Sequence, residues 1–247
     1  RCEVFRDVFE FKKSPASAEE IAFPLAFGII AHNRVVQLLM MLSSFYEVHN
    51  RFCLAVPSNA QDEVQILVQS LSYCFPNIKV LNVGPISWGS YGILQSSVDC
   101  LRVLDNDKSS NWKYYQVLSG VDVPLRTNLE MVRIFRQWNG LSHILYQPMN
   151  GKDWNDRFKK PPIEIFKTSL SAIISRKAAH AIVRHSKSNE LLEWLRPSYV
   201  ADESFWATVF GNPKDLPIPG SFNVSRILEI AENYRARKDL QKTMREP

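Results

Sequence analysis

In the first half of the chain, short unbroken apolar runs alternate with apolar residues spaced three and four apart. Residues 23–31 form one such run, with Pro24 only near its start, where a strand tolerates it. His32-Asn33-Arg34 interrupts it, and Val35, Leu38, Leu39 and Leu42 then follow at helical spacing, with Phe45 and Tyr46 close behind. Residues 51–56 are a second strand, ended by Pro57-Ser58-Asn59. Val64, Leu67, Val68 and Leu71 mark a further helix, and residues 78–83 a third strand. This alternation predicts parallel βαβ units, and right-handed crossovers then give a doubly wound α/β sheet. A helix over about 92–104 and a fourth strand over 114–118 complete the first half. Ligands of such sheets bind beyond the carboxyl ends of the strands, which directs attention to His32, Pro57, Trp88 and Asp122.

The second half changes texture. Residues 150–162 are polar, basic and closed by prolines, and predict a surface loop over the site. A short strand at 172–175 leads into a helix over 176–185, and 191–195 read as another short helix. Asp202 and Glu203 open a further helix, where acids favour the dipole. A loop over 213–219 and a charged helix from Ser225 to about Thr243 follow, and the polar stretch 1–20 reads as an arm.

A net charge of +5, from 30 basic and 25 acidic residues, suits an anionic ligand such as a nucleoside diphosphate. It is too diffuse for nucleic acid, and no zinc finger, basic helix or RNA-binding signature accompanies it. No apolar run approaches the roughly 20 residues that span a bilayer. The chain opens on Arg1-Cys2-Glu3, so the expectation is a segment whose membrane anchor lies outside it. Cys2, Cys53, Cys74 and Cys100 lack zinc-site spacing, and spacing alone leaves two disulfides and four buried thiols equally open.

Four segments, in order, carry a resemblance to a family. Phe23-Pro24-Leu25-Ala26 runs on to His32, and Ser87-Trp88-Gly89-Ser90-Tyr91 precedes a helix. Asn111-Trp112-Lys113-Tyr114 is followed by Ser119-Gly120-Val121-Asp122-Val123-Pro124 and on to Glu130. The fourth is Ala201-Asp202-Glu203-Ser204-Phe205-Trp206-Ala207-Thr208. Together they resemble the core-2/I-branching β-1,6-N-acetylglucosaminyltransferases over about 23–222. The resemblance implies a Rossmann-like, nucleotide-sugar-binding fold of the glycosyltransferase A type, with a mostly parallel sheet and flanking helices. It implies one catalytic domain over 1–247, with a donor-binding half (about 21–130), an acceptor and catalytic half (about 131–247) and a truncated C-terminal end. It also pairs Cys2 with Cys74 and Cys53 with Cys100, which fits the oxidising Golgi lumen and a type II membrane protein.

The activity so implied is inverting transfer of N-acetylglucosamine from UDP-GlcNAc to a 6-hydroxyl of galactose or N-acetylgalactosamine on a glycoprotein glycan. Such displacement needs a base for the hydroxyl proton and charge to meet the departing diphosphate. By resemblance Glu203 is the base; the blander reading makes Asp202 and Glu203 ordinary helix-start acids. Ile30, Ala31, His32, Trp88 and Asp122 fall on the donor side, with core packing the blander role for Trp88. Arg157 and Asp202 fall on the acceptor side. Pro57 replaces an Asp that contacts uridine in related enzymes, Trp154 replaces a Lys, and an acceptor-side Glu has no counterpart near Tyr146. Asp105-Asn106-Asp107 has the form of an Asp-x-Asp metal motif, but its place at a helix end predicts a solvated turn, and the family needs no divalent metal. The family's diphosphate-binding cations lie beyond the matching segment, where only Arg235, Arg237, Lys238, Lys242 and Arg245 follow on a charged helix. The alternative is a degenerate, non-catalytic member that keeps the fold and binds glycan.

Overall fold

The computed structural model describes residues 2–15, 17–149 and 160–243, with side chains of the last helix described as far as Tyr234. In chain order the elements begin with α1 (Cys2–Phe9), α2 (Ala18–Ile21), β1 (Leu25–Ile30), α3 (Val35–Phe45) and β2 (Arg51–Pro57). Then come α4 (Asp62–Cys74), β3 (Ile78–Val83), α5 (Tyr91–Asn106), β4 (Tyr114–Leu118) and α6 (Asn128–Gln137). The remainder is β5 (His143–Ile144), β6 (Ala172–Ser175), α7 (Arg176–Arg184), α8 (Ser186–Leu195), α9 (Asp202–Gly211) and α10 (Val224–Thr243).

The strands form one sheet in the order β3-β2-β1-β4-β6-β5. The first four are parallel, as the alternating pattern predicts, while β6 runs antiparallel to both β4 and β5. Each face carries its own core. Phe27, Ile29 and Leu54 meet Leu38, Leu42, Val64 and Leu71 on one side. Ala26, Ala55 and Val117 meet Leu94, Leu101, Phe205 and Trp206 on the other. Burying each Val, Leu, Ile or Phe among these stabilises the fold by about 1.5–3 kcal/mol. Two disulfides tie the donor half together, Cys2–Cys74 from α1 to α4 and Cys53–Cys100 from β2 to α5. These are the pairs the resemblance implies. Among the described residues no helix is long and apolar enough to cross a membrane.

The structure departs from the sequence reading at four places. The N-terminal stretch is no loose arm: Phe5 and Phe11 are buried, and Phe11 stacks on Phe75 at 4.8 Å. Its polar residues form the outer surface of α1 and the turn after it, and they mask two anchoring rings. Secondly, α6 escaped the hydrophobic pattern, although Thr127 and Glu130 form a full capping box at its start. Thirdly, Asp105-Asn106-Asp107 does end a helix but is not solvated. Asp105 is buried, accepts from Arg184 Nη1, and lies 3.2 Å from His180 Nδ1. Asp107 Oδ1 accepts from the Ser109 N–H at 2.9 Å, and its Oδ2 is 3.6 Å from Arg51. Both acids are committed to structural contacts with α7 and β2. The helix over 191–195 also begins earlier, at Ser186, where the ring of His185 accepts the Lys187 N–H at 3.2 Å.

Candidate functional site

β1 pairs with β2 on one side and β4 on the other, so the chain leaves the carboxyl end of β1 at the topological switch point of the sheet. The carboxyl ends of the strands beside this point are where ligands of such sheets bind. The Ala31 N–H still continues the ladder to the Ala55 carbonyl at 2.8 Å, and the His32 carbonyl accepts from the Gln61 N–H at 3.2 Å. His32 is half-buried, and its Nε2 is sealed from solvent with no hydrogen-bond partner among the described residues. Beyond β4, Gly120 has φ +92°, and a Cβ there would lie 2.3 Å from the Ile30 carbonyl oxygen. Only glycine lets the turn after β4 pass so close to the end of β1. Two of the expected donor-binding segments, Ile30–His32 and Ser119–Asp122, are therefore in contact. Asp122 Oδ2 accepts from the Ser119 N–H (2.6 Å) and Ser119 Oγ (2.8 Å), which holds that turn closed.

Trp88 sits in the loop beyond β3. Far from packing in the core, it is 78% exposed, its ring edge-on to Tyr199 at 5.5 Å. Asn59, beyond Pro57, clamps this loop twice: its Nδ2 donates to the Ile86 carbonyl and its Oδ1 accepts the Ile86 N–H, each at 3.0 Å. The reading of Pro57 as a lost contact missed this role of the same turn. The loop is also stitched to the start of α9. The Val200 N–H donates to the Gly89 carbonyl at 2.8 Å, and the Tyr199 ring occupies the space a Cβ on Gly89 would need. Gly89 takes φ +73° and Val200, a β-branched residue, φ +56°. Strain of that kind persists only where surrounding contacts enforce it.

Those contacts bring the amino end of α9 to the carboxyl side of the sheet. No side chain caps it, and Asp202 and Glu203 fill its first turn. The Glu203 side chain is 43% exposed, with Oε2 3.8 Å from Lys167 Nζ. Its carbonyl accepts the Thr168 N–H at 2.7 Å, so segment 166–168 runs alongside α9. Asp202 is only 7% exposed, and its Oδ1 has no partner among the described residues. Burial pushes the Asp202 carboxyl above its ordinary range; a hydrogen bond from its own backbone works against this, and the neighbouring Glu203 charge adds to it. One turn on, Trp206 is fully buried with Nε1 also unpartnered among the described residues.

Of the expected site residues, the structure brings Ile30 against Gly120, two residues before Asp122, and ties Gly89, next to Trp88, to Val200, two residues before Asp202. Arg157 and Trp154 lie outside the described residues, as do Arg245 and the side chains of Arg235, Arg237, Lys238 and Lys242. Sequence reasoning passed over Arg34, which caps α3 with φ +60° directly after His32 and donates its N–H to Gln61 Oε1 at 3.2 Å. Its signal was a basic residue at a strand-to-helix junction. Sequence reasoning also passed over Tyr199, which had none.

A family model described as Core-2/I-Branching enzyme matches residues 25–225. The chain is 28% identical over 251 residues to a beta-1,3-galactosyl-O-glycosyl-glycoprotein beta-1,6-N-acetylglucosaminyltransferase of Homo sapiens, covering 94% of this chain and 58% of that protein. It is 25% identical over 252 residues to the corresponding enzyme 3 of Ovis aries, covering 93% of this chain and 57% of that protein. The chain thus spans a little over half the length of these relatives.

Proposed function

Because the chain belongs to the Core-2/I-branching enzyme family, we propose that it forms the catalytic part of an inverting β-1,6-N-acetylglucosaminyltransferase. The donor is UDP-GlcNAc and the acceptor a 6-hydroxyl of galactose or N-acetylgalactosamine on a glycoprotein glycan. The observation that carries this reading is the hydrogen bond from Val200 to Gly89, which ties the loop of Trp88 to the turn that presents Glu203. It supports the reading because it links the segment that carries an exposed aromatic ring to the segment that carries a partly exposed carboxylate.

In this mechanism Glu203 takes the proton of the acceptor hydroxyl as its oxygen attacks the anomeric carbon. The bond from that carbon to the diphosphate breaks on the opposite face, UDP departs, and the configuration inverts. The uridine lies against Ile30, Ala31 and His32, with Asp122 holding the opposite wall and Trp88 covering the donor. Asp202 supports the acceptor side with Arg157. No divalent ion takes part: protein cations meet the diphosphate, with Arg34 at the amino end of α3 proposed as one of them. The disulfides and the family suit the Golgi lumen, with a membrane anchor elsewhere in the protein.

The competing reading, a glycan-binding relative without turnover, draws on Pro57, whose position in β2 offers no carboxylate to uridine. One experiment separates them. In the full-length protein, Glu203→Gln keeps the shape and removes the proton acceptor, so transfer should fall by about 10²–10⁴-fold. UDP binding should be unchanged and wild-type transfer should persist in EDTA. A wild-type protein that binds glycan but transfers nothing supports the second reading. Normal turnover in Glu203→Gln removes Glu203 from the mechanism, and activity restored only by Mn²⁺ removes the metal-free step.

A further inference from the structure

A cavity of ≈ 710 Å³ lies at the opposite end of the strands from Ile30 and Gly120. Phe23, Asn111, Trp112 and Lys113, which precede β1 and β4, line it, and so do Ser175 at the end of antiparallel β6 and Arg136 of α6. Strands of five or six residues separate it from the proposed donor site by roughly 17–20 Å. Its volume falls within the range of small-ligand sites.

The lining is one-signed. Lys113, Arg136, Arg176 and Lys177 contribute, and no Asp or Glu does. Arg136 is paired with Glu19 at 3.0 Å, while Lys113 and Lys177 have no ion pair with any described carboxylate. The Arg176 guanidinium is fixed rather than loose: it lies 4.7 Å over the Trp112 ring and donates from Nη1 to the Ser110 carbonyl at 2.8 Å. Five donors on a planar fork leave several N–H groups for a ligand. Arg176 and Lys177 also occupy the first turn of α7, which contains no acid. Cations are disfavoured there, because the helix end is itself positive and its amides point outward. A sequence that crowds three cations around a positive helix end breaks a local rule, and such breaks accompany function.

We propose that this cavity binds an anionic saccharide, a sugar carrying a sulfate or phosphate monoester, at a site separate from the transfer centre. The anion meets Lys113, Arg176 and Lys177; the amides of α7 contribute little directly, because the Arg176 N–H is donated to the Lys113 carbonyl and the Ala178 N–H to Ser175 Oγ. The amides of Asn111 and Asn139 supply hydrogen bonds to ring hydroxyls, and Phe23 offers an apolar face. A binding site here would hold an acidic glycan chain while another part of that chain is processed, or report its presence.

The test is calorimetric titration of the full-length protein with a sulfated disaccharide, its unsulfated counterpart, inorganic sulfate and UDP, at low and moderate salt. The sulfated disaccharide should bind, weaken as salt rises, and lose at least tenfold in affinity in the double variant Lys113→Glu with Lys177→Glu. UDP affinity and transferase activity should not change in that variant. Lys177→Glu alone, at an exposed position, should give a partial loss at an unaltered melting temperature, which guards against a folding artefact. Equal affinity in wild type and both variants overturns the proposal, as does no binding of the sulfated sugar at low salt. Inorganic sulfate binding as tightly as the sulfated sugar overturns the saccharide, and UDP binding lost with the sulfated sugar makes the cavity a nucleotide site instead. None of these outcomes depends on Glu203.

Discussion

Asp202 and Glu203 are consecutive in the first turn of α9, yet one carboxyl is sealed in protein and the other lies beside Lys167 at the surface. The two acids of this helix end therefore sit in different surroundings, one enclosed and one open to a partner and to solvent.

That contrast sets a pH dependence. The Asp202 carboxyl is raised by burial above its ordinary 3.8. The folded state therefore binds a proton that the unfolded state has already released, so this residue's contribution to stability is full below about 3.9 and declines as pH rises through its folded value. Asp202→Asn should remove that decline. Melting temperatures of the two proteins, compared from pH 4 upward, should diverge in favour of the variant; parallel curves would place Asp202 in water.

Gly120→Ala should cost more than about 1 kcal/mol, because φ is positive and the new methyl meets the Ile30 carbonyl. Gly140→Ala provides the comparison: its φ is +87°, but nothing lies within 4 Å of its would-be Cβ. The first variant should lose both stability and UDP affinity, the second a smaller amount of stability alone. Denaturant titration and UDP binding of the pair would show whether the collision exists.

Trp88→Ala should barely disturb the fold, since the ring is mostly exposed and an edge-to-face contact with Tyr199 contributes about 0.5–1.5 kcal/mol at most. The donor should feel it more, with KM for UDP-GlcNAc rising about five- to tenfold. An unchanged KM would return Trp88 to a purely structural contact with Tyr199.

Peptide mapping without reduction should recover Cys2–Cys74 and Cys53–Cys100 and neither alternative pairing. Loops closed over separations of 72 and 47 residues are each worth about 4 kcal/mol in the chain-entropy account. Cys53→Ser with Cys100→Ser should therefore lower the denaturation midpoint strongly; a small shift would mean that packing of α5 on β2 holds the core unaided.

Strands β1 and β2 were legible because each is an apolar run with a polar or proline end, as at His32 and Pro57, whereas the two-residue β5 is too short to leave a pattern. The helix α6 was not, because Arg133, Arg136 and Gln137 dilute its pattern and only the pair Thr127 and Glu130 marks its start. At the site, Glu203 and His32 could be singled out by residue type and motif. The Gly89–Val200 link could not: it is backbone to backbone between distant segments, and no side chain announces it. Nor could the burial of Asp105, which depends on Arg184 and His180 arriving from α7.

The pairing of β1 with β4, Leu25 opposite Tyr114, has a consequence for how the molecule comes into being. Two other strands and three helices must be laid down between those partners before they meet, so this is a late and entropically expensive contact. The contact between Ile30 and Gly120 exists only once it has formed. A chain arrested earlier can own every donor-binding residue and still have no place for a nucleotide. On the proposed function, UDP would then bind only the fully folded chain, and a tightly held donor would stabilise the whole sheet rather than one loop.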